Sequence, residues 1–128
     1  MIGFLSGLVK SLRGQQAVIL VNGVGYTVSV PASQTPAIGK NIDLYIHTHV
    51  REDTLALYGF KDEVALDLFE NLISVSGVGP KSALAIISVA SAEAIKKAIE
   101  TTNLNFFTAV PGIGKKSAQK IIIDLKPK

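Results

Sequence analysis

The residues best placed to do chemistry are three lysines, each beside a pair of glycines, and the chemistry they suit is holding an anion. Val75-Ser76-Gly77-Val78-Gly79-Pro80-Lys81-Ser82-Ala83 returns 35 residues later as Val110-Pro111-Gly112-Ile113-Gly114-Lys115-Lys116-Ser117-Ala118. Carried on to Ile86-Ile87 and Ile121-Ile122, the two copies align over 13 positions and agree at eight. Gly77, Gly79, Gly112 and Gly114 can take φ > 0 and put no side chain between the backbone and a ligand. Val78 and Ile113, set between the glycines, can plug each turn into a core. The small alanine and the isoleucine pair then face inward, one turn apart, on the helix that follows. The pattern predicts a helix, a tight Gly-rich hairpin and a second helix whose first turn points free N–H groups outward, a ready anion site. Lys81 in the first copy, and Lys115 and Lys116 in the second, stand where they could reach the anion at such a helix end, with Ser82 and Ser117 beside them.

Other uses of a helical repeat fit less well. A protein-binding solenoid has periods near 35 residues, but two copies are few for one and its signature residues are missing. A nucleotide-binding P-loop needs G-x-x-x-x-G-K-[ST], whereas here Ala109 stands where its first glycine should be and Lys116 follows Lys115. A purely structural helical turn is the bland alternative. The pattern is that of a helix-hairpin-helix, and it resembles the phosphate-gripping element of many DNA repair proteins.

The placement of charge says more than its sum. The 128 residues carry a net charge of +3. Residues 1–60 hold four basic and three acidic groups, whereas Val110 to Lys128 holds Lys115, Lys116, Lys120, Lys126 and Lys128 against Asp124 alone. A basic end that coincides with the second hairpin points to an anionic polymer as partner. A Lys-rich solvated helix face would look the same by charge alone. An apolar fraction of 48% suffices for packed cores. The chain has no cysteine, which excludes disulfides and Cys-based metal sites and fits a reducing compartment. The N-terminus opens on a strand-like pattern without a basic segment ahead of an apolar block, so no signal peptide is expected. The longest apolar stretch, Ala83 to Ala90, is far short of a membrane span, and a soluble cytoplasmic protein is expected.

The elements that must position these residues fall into two groups. In residues 1–60 the hydrophobic period is two. Ile2 to Val9, with Gly3 and Gly7, predicts a strand that bends or bulges, and Ala17 to Val21 predicts a second. Asn22-Gly23 is a hairpin signal. Val24, Tyr26, Val28 and Val30 alternate on one face, Pro31 to Lys40 is rich in turn formers, and Ile42, Leu44 and Ile46 alternate again. Leu55, Leu57 and Gly59 resume the alternation after Arg51-Glu52-Asp53-Thr54. Five short strands predict a small antiparallel barrel, best matched by the OB fold. At Asp62 the period changes to 3.6, with Asp62 a helix N-cap, Glu63 in the first turn and Ala65, Leu68, Phe69 and Leu72 on one face. Helices are predicted from Pro80 to Val89 and from a Ser91 cap through Ile95, Ala98 and Ile99; Leu104 to Val110 leads into the second hairpin and a last helix ending near Leu125. The fold class is therefore α+β: residues 1–62 form a mainly β OB-fold domain and residues 63–128 an all-α domain with tandem helix-hairpin-helix motifs.

By its residues alone, Arg51-Glu52-Asp53-Thr54 is an ordinary polar hairpin turn. Two adjacent carboxylates there would repel phosphates, an odd ornament for a DNA binder unless repulsion is useful. His47 and His49 share a strand face, but with no third ligand suggested nearby they make a weak metal site, and none is expected.

Met1-Ile2-Gly3, Gly23-Val24-Gly25-Tyr26, Arg51-Glu52-Asp53, Leu57-Tyr58-Gly59-Phe60, Gly77-Val78-Gly79-Pro80-Lys81 and Pro111-Gly112-Ile113-Gly114-Lys115-Lys116 occur in an order that resembles the RuvA family of Holliday-junction-binding proteins. The hairpins are shared by many repair proteins; their combination with the acidic turn and L-Y-G-F is far more specific, and the match spans the whole chain. The resemblance implies an OB barrel followed by the two hairpins. It also implies a homotetramer, alone or as an octamer of two facing tetramers, with a basic face on which four-way junction DNA lies open and flat. It makes Glu52 and Asp53 the acidic pin at the centre of the square. It makes Gly77, Val78, Gly79, Lys81, Ser82, Gly112, Ile113, Gly114, Lys115, Lys116 and Ser117 the residues that hold DNA phosphates from the minor-groove side, by shape rather than sequence.

The family also implies a linker and a small third helical domain that contacts the ATP-driven motor RuvB. This chain stops at Lys128, so a fragment or a shortened form is expected, with motor coupling carried by a domain it lacks. No ATP site is visible and no cofactor is expected. The contrasting function class is a nuclease or glycosylase, or a generic duplex-binding module, that uses the hairpins only to hold DNA. A nuclease or glycosylase needs a carboxylate or Lys-nucleophile constellation near the hairpins. Here only Glu52-Asp53 are paired, in the other domain, so a non-catalytic scaffold is expected.

Overall fold

The alternating first 60 residues close on themselves as a barrel in the computed structural model of the chain, which describes residues 1–126. Its strands are β1 (Phe4–Arg13), β2 (Gln16–Val21), β3 (Val24–Ser29), β4 (Asn41–Arg51) and β5 (Thr54–Phe60). They run in the order β1-β2-β3-β5-β4, and an antiparallel β1–β4 ladder from Phe4–Tyr45 to Leu8–Asn41 completes the ring. Only β3 and β5 pair in parallel, at Val28–Leu57 and Ser29–Tyr58. This is the OB-type barrel that the alternation predicts. Its interior is filled by one inward residue in two from every strand, among them Leu5, Val9, Ile19, Val28, Leu44 and Leu57.

Local chemistry explains where the strands turn and bend. Asn22 and Gly23 take φ of 49° and 84°, the two left-handed positions that let a two-residue turn follow the strand twist. Gly7 lies where a Cβ would overlap the Leu20 carbonyl, and a Cβ on Gly59 would lie 2.7 Å from Val28 Cγ1, so both glycines let strands pass close. Two details depart from the sequence reading. β1 starts at Phe4 and runs past Val9 to Arg13, because a register shift between Val9 and Ser11 restarts the alternation instead of ending the strand. Val24 and Leu55 keep the core phase of their strands yet are exposed, because they stand beside hairpin turns at strand ends.

The chain divides into two compact units, Met1–Leu66 and a second beginning at Asp67. The second is built from α1 (Glu63–Ile73), α2 (Pro80–Val89), α3 (Ala92–Glu100), α4 (Leu104–Thr108) and α5 (Lys115–Leu125), α1 starting on the first unit's side of the division. Asp62 Oδ1 accepts the Ala65 N–H at 2.8 Å, and Ser91 Oγ accepts the Ala94 N–H at 3.1 Å, so α1 and α3 begin at the caps their sequences offer. α3 ends in a Schellman motif: the Asn103 N–H reaches the Ala98 carbonyl at 2.8 Å, the Thr102 N–H reaches Ile99 at 3.2 Å, and Thr102 takes φ 55°. Asn103 then caps α4 through the Phe106 N–H. Phe69, Leu72, Ile86, Ile95, Phe107 and Ile121 are fully buried and represent the core of this unit. No helix among the described residues is long and apolar enough to cross a membrane. Lys128, counted above in the basic end, lies outside the described residues.

Candidate nucleic-acid interface

Each glycine hairpin is a type II turn that hands the chain straight into a helix. The Val78 N–H bonds the Val75 carbonyl at 3.0 Å and the Ile113 N–H bonds the Val110 carbonyl at 3.1 Å. The third residues of these turns, Gly77 and Gly112, carry φ of 88° and 90°, which only glycine adopts without strain. Pro111 occupies the second position, where its ring presets the angle. Val78 and Ile113 are buried, so each turn is pinned by the side chain of its fourth residue. Ala83, Ile86 and Ile87, and their counterparts Ala118, Ile121 and Ile122, are buried on the following helices. The eight identities thus preserve a shape as well as a sequence.

Gly79 and Gly114 do a different job. Both are helix N-caps, with φ/ψ of −92°/175° and −88°/175°, angles open to any residue. A Cβ added to either meets nothing within 4 Å. Neither backbone angle nor neighbouring protein therefore requires glycine there. What its absence of a side chain preserves is open space in front of the first turn. No side chain caps either helix, so the leading N–H groups stay turned outward with their partial positive charge. The first intrahelical bonds are Ala83 N–H to Gly79 and Ala118 N–H to Gly114, both 3.0 Å. Ser82 and Ser117 lie between those bonds and the caps. The second copy offers one more donor, because Lys115 has the N–H that Pro80 lacks.

Lys81, Lys115 and Lys116 are exposed on these first turns. The structure thus brings each predicted hairpin set together within its own turn. Lys120, not among the predicted contacts, is also exposed, four residues beyond Lys116 and hence on the same helix face. That i, i+4 spacing was the available signal. Lys126 is engaged elsewhere: its Nζ donates to Thr102 Oγ1 at 3.0 Å. Among the described residues the basic end is therefore two groups, one at the hairpin and one at the far end of α5.

Glu52 and Asp53 form the two-residue link between β4 and β5, whose ladder runs up to Arg51–Thr54. Both are exposed at the hairpin's end, in the other unit from the lysines. Arg51 turns back along its own strand and donates from Nε to His49 Nε2 at 3.0 Å. Burial, then Arg51, then His47 hold the His49 imidazole below its ordinary pKa, which favours the neutral form that accepts this bond. Burial pushes the Tyr58 hydroxyl up, with Arg51 opposing. The His47 and His49 rings stand 6.0 Å apart, and His49 meets Tyr58 edge-on at 6.4 Å. No group of three or more His, Cys, Asp or Glu residues that could hold a metal occurs among the described residues.

Comparison with known proteins places both units. Residues 1–59 match a family described as the RuvA N-terminal domain, and residues 69–127 match one described as a SAM-like helix-hairpin-helix tandem. The Holliday junction branch migration complex subunit RuvA of Acholeplasma laidlawii is 48% identical over 98% of this chain and 67% of its own length. The proteins of the same name from Dehalococcoides mccartyi and Caldanaerobacter subterraneus are 44% and 42% identical, over the whole of this chain and 68% and 70% of theirs. The chain thus spans about two thirds of the length of these relatives.

Proposed function

The chain belongs to the RuvA family, and from that premise we propose that it binds four-way junction DNA as a non-catalytic scaffold for branch migration. The observation that carries the DNA-gripping part is the empty space before Gly79 and Gly114, framed by uncapped helix N-termini and exposed lysines. Phosphate oxygens suit those donors, because backbone N–H groups and ammonium groups contact phosphates without reading bases. Gly77, Val78, Gly79, Lys81 and Ser82 grip one stretch of duplex backbone, and Gly112, Ile113, Gly114, Lys115, Lys116 and Ser117 another. Two such grips per subunit, repeated four times in a homotetramer, serve four duplex arms.

The acidic turn takes the centre of that assembly. Glu52 and Asp53 repel the phosphates of strands that meet there and so favour an open crossover. ATP hydrolysis belongs to a partner motor, RuvB, and the scaffold supplies geometry rather than a reacting group. A cytoplasmic setting follows from this role. The test is binding of an immobile four-way junction against linear duplex of equal total length across one salt series, with the protein's mass in solution measured alongside. A strong preference for the junction and a tetrameric mass are expected. Equal affinity for the two DNAs would reduce the hairpins to generic duplex grips and overturn the reading.

A further inference from the structure

The β4–β5 hairpin extends past the barrel that carries it. β1 accompanies β4 only as far as Tyr45, opposite Phe4. The last tie along that edge is Thr48, whose Oγ1 accepts the Ile2 N–H at 3.1 Å and donates to the Ile2 carbonyl at 2.7 Å. β3 pairs with β5 only at Val28–Leu57 and Ser29–Tyr58. The pairs His49–Ala56, Val50–Leu55 and Arg51–Thr54 therefore form a two-stranded ribbon, with no third strand beside them among the described residues.

The barrel's core row continues out along one face of this ribbon. Leu44, Ile46 and Leu57 are buried, and the same phase leads past Thr48 to Val50 and Leu55. These two lie directly opposite each other and are 57% and 68% exposed. One exposed apolar residue needs no explanation. A cross-strand apolar pair on an isolated ribbon, set immediately behind two carboxylates, is a different surface. It is uncharged and flat at one place and repels anions at the next. The guanidinium of Arg51 is drawn to His49 on the opposite face, so it adds no cation beside the pair. Nucleic acid has matching chemistry: the faces of its base pairs are apolar and its phosphates are anionic.

We propose that Val50 and Leu55 are an apolar wedge that receives the faces of base pairs beside the crossover, replacing stacking lost when the junction opens. The inference rests on the junction reading above and adds a division of labour to the hairpin. Glu52 and Asp53 push backbones aside, and the pair behind them takes the bases. Apolar side chains inserted at unstacked base steps are a general device of DNA-deforming proteins.

An immobile four-way junction carrying 2-aminopurine next to the crossover reports unstacking as a rise in fluorescence. At protein concentrations that saturate the junction, the natural chain produces the rise. Val50→Thr with Leu55→Thr places good β-strand formers at both positions of the ribbon and lowers the rise to less than about half. Leu55→Phe, which enlarges the apolar face, raises it above the natural level. An unchanged rise with the double threonine variant overturns the wedge, as does a natural chain that prefers the junction yet gives no rise. If the double variant loses mass as DNA-free protein, the pair is a contact between copies and the wedge is likewise overturned. Absence of any junction preference in the natural chain would instead sink the junction reading itself.

Discussion

Gly112 takes a φ of 90°, whereas Gly114, two residues on, takes −88° with open space where a side chain would go. Substitution separates the two roles. Gly112→Ala forces an L residue into a left-handed turn position and should lower stability by about 1–2 kcal/mol, read in urea unfolding. Gly114→Ser behaves in the opposite way. The angles of Gly114 suit an N-cap, and a serine hydroxyl there accepts the N–H of Ser117, so stability should rise by a few tenths of a kcal/mol, about 0.3. The same hydroxyl fills the open space and takes a donor that the proposed grip offers to phosphate, so DNA affinity should fall. A variant that is more stable and binds as tightly as the natural chain would show that the space before α5 has no ligand. The same contrast applies to Gly77 and Gly79 in the first copy.

The element scale shows what the sequence disclosed and what it hid. Local devices were legible because each is contained in a few residues: Asn22-Gly23 turns a hairpin, Asp62 and Ser91 cap helices, and the doubled glycine pattern makes two turns alike. Features that depend on distant partners were not. Nothing within β4 and β5 says that Val50 and Leu55 lie beyond the reach of β1 and β3, because alternation is the same inside and outside a barrel. A bend or bulge in β1 was legible from its glycines, but its place after Val9 was not, since it is defined against β2. Thr102 carries no such local signal: a β-branched residue at φ 55° closes α3 where glycine is the usual choice. Thr102→Gly should raise stability by about 1 kcal/mol in thermal or urea unfolding, less whatever its contact with Lys126 contributes.

The ribbon adds a pH response at the same scale. Folding holds His49 below its ordinary pKa of 6.5, so the unfolded chain takes up this proton first as pH falls. The contribution is fully present above 6.5 and is lost as pH falls through the lower folded value. Arg51 and His47 reinforce it, and Tyr58, the other titratable ring against His49, is neutral throughout this range. The melting temperature should therefore decline below pH 6.5 with a steeper slope than in His49→Asn, which retains an acceptor for Arg51 but does not titrate. Parallel slopes for the two proteins would assign the decline to other groups.

For the whole molecule, the question is whether DNA responds to net charge or to particular lysines. Val110 to Lys128 has an excess of four positive charges, and a field of that size attracts any polyanion. The structure divides the excess. Lys116 stands exposed on the first turn of α5, and Lys126 is bonded to Thr102 at the other end of the helix. Lys116→Glu and Lys126→Glu change the net charge by the same amount, so a purely global attraction treats them alike. A phosphate grip does not: losing one contact removes about 0.9 from the slope of log affinity against log salt concentration. Lys116→Glu should therefore flatten the slope by about that much and weaken binding to junction and duplex together. Lys126→Glu should weaken binding at low salt only, through the long-range field, and approach the natural chain as screening shortens the Debye length to about 8 Å near physiological ionic strength. Equal losses for the two variants at every salt concentration would place the attraction in the basic end as a whole and remove the case for a specific contact at Lys116.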